Sequence, residues 1–126
     1  MRVYKTKSFR RFQRRENIVD TALCAAVAAA EAGLIDADLG GGLIKQRVAR
    51  QGGGKRGGYR TVIAYRVRAR AYFLVGFAKS ALDNIADDEL VELKAQARAF
   101  FALSPDQIEA LMAMDELTEV NCGGED

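Results

Sequence analysis

Histidine is missing from the 126 residues, and that absence removes several chemistries at once. A Ser-His-Asp triad and a histidine-paired ribonuclease centre both need an imidazole. Cys24 and Cys122, with no histidine beside them, make no zinc site. Two cysteines this far apart in sequence imply no disulfide framework and fit thiols in a reducing compartment. No Asp or Glu stands between Leu39 and Lys79, so the carboxylates of a two-metal nuclease are lacking there. Long apolar runs are lacking too: Ala22 to Ala30 is too short to span a bilayer. The opening MRVYKTKSFRRF carries charge without the apolar core of a signal peptide. The expectation is a soluble cytoplasmic protein with no membrane partner, no metal and no other cofactor.

What is present is charge, unevenly spread. The formal net charge is only +2. Yet Met1 to Lys79 holds 17 basic and 5 acidic residues, whereas Ser80 to Asp126 holds 2 basic and 12 acidic. Leu39 to Lys79 alone carries ten cations: Lys45, Arg47, Arg50, Lys55, Arg56, Arg60, Arg66, Arg68, Arg70 and Lys79. A sheet with that much uncompensated positive charge is suited to a polyanion, of which nucleic acid is the commonest. The acidic half reads as a helical buttress beside it. With 49% hydrophobic residues, the chain can form a single domain with a real core.

Periodicity outlines that domain. Arg2 to Lys5 reads as a strand, and Ser8 as the N-cap of a helix with Phe9 and Phe12 on one face. Asp20 reads as the cap of a second helix, with Leu23, Val27 and Ala30 inward and Gly33 as its stop. Leu34 to Gly42 reads as a loop. Leu43 to Ala49 follows as a strand with Leu43, Lys45 and Arg47 on one face. Tyr59 to Val67 alternates as a second strand, with Arg60 and Arg66 on one side and Tyr59, Thr61 and Tyr65 on the other. Ala71 to Ala78 is apolar on both faces, as a central strand is. Asp87 caps a helix with a Leu90, Leu93, Ala97, Phe101 stripe, and Ser104-Pro105-Asp106-Gln107 opens another. A short extended piece follows, and the tail from about 115 to 126 is expected to be loose. The fold class is α+β, a single domain over 1–126.

Lys, Arg and Tyr remain as the reactive residues of the basic stretch. QGGGKRGG is not a phosphate loop: Ala49 and Arg56 stand where its first Gly and its Ser/Thr belong. Cationic side chains do permit metal-free cleavage of RNA. A base takes the 2′-OH proton, cations stabilise the phosphorane, and an acid protonates the 5′-oxygen. Lysine serves as the base only where neighbouring cations lower its pKa, whereas arginine grips phosphate.

GGGLIKQRVARQGGGKRGGYRTVIAY followed by YFLVGFAKSALDNI resembles the RelE/HigB-type toxins of bacterial type II toxin–antitoxin systems. The resemblance extends from VYKTKSFRRF to the helix near Asp87, and RVARQGGGKRGGYR and GFAK are its specific strings. It implies a small twisted, mainly antiparallel sheet with an N-terminal helical hairpin and C-terminal helices. It also implies ribosome-dependent cleavage of mRNA, silenced by a cognate antitoxin, a helix-turn-helix protein from a neighbouring gene. Arg60 in GGYR matches the family's phosphate-gripping arginine, and Lys45 and Arg47 sit on the strand that carries active-site cations in relatives. Lys55, Arg56 and Lys79 fall in or beside the matching strings, with Arg50 and Arg66 as further phosphate contacts. Two departures stand out. Ser80, Ala81 and Leu82 follow GFAK in place of polar or charged residues, and no tyrosine follows Tyr72. Either Lys45 or Lys55 serves as base, or Tyr65 substitutes from the sheet, or activity is weak. Two alternatives stay open: a non-enzymatic ParE-like toxin directed at a protein such as DNA gyrase, and a basic nucleic-acid-binding module without toxicity.

Overall fold

The computed structural model describes residues 1–50, 54–77 and 85–123, including their side chains except at 54–57. The elements run β1 (Arg2–Thr6), α1 (Lys7–Glu16), α2 (Asp20–Glu31), β2 (Ala37–Gly40), β3 (Leu43–Arg50), β4 (Gly54–Arg66) and β5 (Arg70–Phe77). Then come α3 (Asp87–Phe101), α4 (Pro105–Ala113) and β6 (Leu117–Val120). The strands form one sheet in the order β2-β3-β4-β5-β1-β6. β1 and β5 run parallel, and every other neighbouring pair is antiparallel. This is the α+β arrangement expected, with the helical hairpin on one face and the C-terminal helices on the other.

Each face has its own core. Under the hairpin, Phe9, Phe12, Leu23 and Val27 meet Ile44, Val48, Ile63 and Phe73. On the other face Leu93, Ala97 and Ile108 pack over Leu43, Val62, Tyr72 and Leu74. β5 serves both, which is why its sequence is apolar throughout. A bulge opposite Val62 and Ile63 reverses its alternation after Phe73. Val75 and Phe77 then belong to the α3 side, and Gly76 faces Phe12. A Cβ at Gly76 would collide with the Phe12 ring, so only glycine lets α1 lie this close.

Several local expectations change. Thr6, not Ser8, caps α1, its Oγ1 accepting from Phe9 N at 3.2 Å, because β1 runs straight into the helix. α2 begins at Asp20 with Val19 as N-cap. The Asp20 carboxylate instead accepts from Lys5 Nζ at 2.9 Å and Gln13 Nε2 at 2.7 Å. Lys5 Nζ also donates to Gln13 Oε1 at 2.8 Å, so a half-hidden polar cluster ties β1, α1 and α2 together. The 34–42 segment contains β2, a short edge strand. Ser104 and Gln107 do form the reciprocal cap of α4.

Of the segment from 115 onward, the described residues 115–123 are held rather than loose. β6 pairs with β1, and Val120 enters the core beneath the hairpin. That placement carries Cys122 to α2, where it forms a disulfide with Cys24 across a Cα–Cα distance of 5.4 Å. The reading of two independent thiols is thus overturned. Sequence separation is no measure of distance once β6 lies beside β1. Among the described residues no helix is long and apolar enough to cross a membrane.

Candidate nucleic-acid interface

The β3–β4 ladder places Arg47 directly opposite Arg60, with Lys45 opposite Val62. Between these pairs lie Gln46 and Thr61, both buried, and Thr61 Oγ1 donates to Gln46 O at 2.8 Å. That internal bond holds the register, and pleating sends Lys45, Arg47 and Arg60 together to the α3 side. Two guanidinium groups opposed across a strand pair repel each other. Such a placement is productive where an anion comes between them.

Lys45, Arg47 and Arg60 line one open cleft of about 230 Å³, together with Asp36 and Ala37. Arg47 is exposed and Arg60 half-buried. Among the described residues neither arginine forms an ion pair. In particular, Arg60 makes no bridge to a described residue of the acidic α3.

The other expected cations are placed elsewhere or not described. Arg50 shares a face with Val48, its guanidinium 5.2 Å from the Tyr59 ring centre. It lines a separate hollow of about 510 Å³ with the α1–α2 turn. Arg66 lies six residues along β4 from Arg60, roughly 20 Å at strand rise, and its guanidinium sits 4.5 Å over the Phe101 ring. Lys55 and Arg56 belong to β4, but their side chains lie outside the described residues, as does all of Lys79. Tyr65 faces the hairpin and donates to Glu31 Oε2 at 2.5 Å. Burial and that bond push its pKa up to about 12. Neither its position nor its acidity suits a base at the cleft.

Asp36 is the residue that sequence reading passed over. Its Oδ2 accepts the Arg47 N–H at 2.6 Å, while its own N–H donates to Gln46 Oε1 at 3.1 Å. Gln46 in turn donates from Nε2 to Ala26 O at 3.0 Å and Leu34 O at 2.9 Å. The signal available was a carboxylate just ahead of the acid-free stretch, hidden by treating 34–42 as plain loop. Among the described residues no group of acidic or sulfur side chains could hold a metal ion.

No curated protein matches the chain. A family model described as the RelE toxin of the RelE/RelB toxin–antitoxin system matches residues 1–120, nearly the whole length. With the sheet and the cationic strands on which the resemblance rested, the chain belongs to the RelE toxin family and is the toxin of a toxin–antitoxin system.

Proposed function

We propose that the protein is an endoribonuclease that cleaves mRNA on the ribosome, without a metal, at the Arg47–Arg60 cleft. The observation that carries this is the cross-strand arginine pair, neither member of which forms an ion pair with a described carboxylate. Arg47 and Arg60 grip the scissile phosphate and stabilise the charge that builds on the phosphorane. Lys45 stands on the same face and supplies a further cation and a proton donor. The 2′-oxygen attacks phosphorus and the bond to the 5′-oxygen breaks, leaving a 2′,3′-cyclic phosphate. A small open cleft orients an RNA chain poorly by itself; a ribosome holding the mRNA supplies that order. Lys55, Arg56 and Lys79 act as supplementary phosphate contacts. The antitoxin, encoded by a neighbouring gene with a helix-turn-helix domain, covers this cationic face with an acidic or amphipathic segment.

Inducing the toxin and mapping transcript 5′ ends tests the reading. New ends within translated codons are expected, and Arg60→Ala or Arg47→Ala should remove them. Breaks that persist in both variants would place the chemistry elsewhere. Intact transcripts with damaged DNA would favour a protein target of the gyrase kind.

A further inference from the structure

We infer that Asp36 is the general base of this cleavage, an assignment that rests on the reaction taking place in the Arg47–Arg60 cleft. Asp36 is the carboxylate that lines the cleft with Lys45, Arg47 and Arg60. It is anchored on both sides, its Oδ2 by the Arg47 N–H and its own N–H by the buried Gln46 side chain. β2 begins pairing with β3 only at Ala37, and Asp36, the residue before it, caps the ladder donor that β2 leaves open. Oδ1 accepts no hydrogen bond from a described residue, which leaves one oxygen for a substrate hydroxyl.

The chemistry favours this division of labour. A lysine base must first lose its proton before it can accept another. Carboxylates accept protons and ammonium groups donate them in the forms both hold in water at neutral pH. Asp36 takes the 2′-OH proton, the 2′-oxygen bonds to phosphorus, the P–O5′ bond breaks, and the Lys45 ammonium protonates the departing 5′-oxygen. Among the described residues, Lys45 and Arg47 on β3 and Arg60 on β4 line the cleft with Asp36, and Asp38 follows two residues on in β2. Lys94 approaches from α3, packed against Gly40 and Gly41.

Asp36→Asn makes the test, because its carbonyl oxygen can still accept the Arg47 N–H while the base is gone. Single-turnover cleavage of mRNA in programmed ribosomes, followed against pH, is the measurement. Wild type should gain rate as pH rises through the acid range. Asp36→Asn should be about 100-fold slower or worse, lack that acid limb and melt at the wild-type temperature. Asp36→Ala should recover rate as formate is added, which a purely structural role does not allow. An Asp36→Asn chain that cleaves like wild type while Arg60→Ala is dead overturns this assignment alone. So does a slow variant that keeps the acid limb, or one that melts low with no formate rescue of Asp36→Ala. A wild-type chain that leaves ribosomal mRNA intact takes the nuclease reading and the base with it.

Discussion

The cations at the two ends of the sheet order meet different fates. At the β1–β6 end, Arg2 donates to Glu119 at 2.5 and 3.0 Å. Arg10 makes a two-pronged contact with Asp115 at 2.7 and 2.9 Å and also donates to Thr118. The Arg10 hydrogen bond holds the Asp115 carboxyl below its ordinary range. At the β3–β4 end, Arg47 and Arg60 face each other and no described carboxylate joins them in an ion pair. Strand order explains the difference. Acidic β6 adds beside β1, at the opposite edge from β2 and β3, so these C-terminal carboxylates serve the first elements and do not reach the cleft. Identical residue types are structural in one place and available to a ligand in the other. The surface pairs, such as Arg2–Glu119 at 60% and 36% side-chain exposure, contribute little stability.

That contrast can be broken in graded ways. The largest effect belongs to the two cleft arginines. Arg47→Ala or Arg60→Ala should slow mRNA cleavage about 100-fold or more without lowering the melting temperature, whereas Arg2→Ala should leave the rate intact. Next is the bond closing the β6 end. Reducing Cys24–Cys122, which spans 98 residues of sequence, should cost about 2–4 kcal/mol in denaturant unfolding and leave cleavage alone. Gly76→Ala follows, at about 1–3 kcal/mol from overpacking against Phe12, read as a lower melting temperature.

The smallest effects are slopes against pH. Burial opposes ionisation of Asp20, but hydrogen bonds from Gln13 and Lys5 outweigh it and hold the carboxyl below its usual 3.8. Its contribution is therefore present above that value and lost as pH falls through the lowered one. Asp20→Asn should flatten the acid limb of stability. Tyr65 has the opposite sense. With its pKa raised from 10.0 to about 12, its contribution is present below pH 10.0 and lost as pH climbs toward 12. Tyr65→Phe should remove that alkaline loss.

Much of this fold was legible because burial writes itself into local spacing. The apolar run of β5, the Leu93–Ala97 stripe of α3 and the Ser104–Gln107 cap each need only neighbours in sequence. The cleft was legible in part: alternation puts Lys45 with Arg47 and Arg60 with Val62, and it also separates Arg50 from them. What local spacing cannot carry is partnership across the sheet. Cys122 meets Cys24 only because β6 adds to β1. Asp20 is engaged by Lys5 on β1 and Gln13 on α1 instead of capping α2. The bulge in β5 sends Phe77 to the face opposite Phe73, a reversal that two-residue alternation does not anticipate. Asp36 was hidden for the same reason, since its place at the cleft depends on where β2 starts pairing.

The central claim is that the Arg47–Arg60 pair, rather than the cations held by carboxylates at the other edge, meets the polyanion. Salt dependence tests it most directly, with the full chain and an RNA oligonucleotide carrying 2′-deoxy sugars that cannot be cleaved. The slope of log affinity against log salt should become shallower by about 0.7 for each arginine removed from the cleft, and stay unchanged when Arg2 and Arg10 are replaced by alanine. A slope that survives loss of both Arg47 and Arg60, yet falls when Arg2 and Arg10 are lost, would contradict the account.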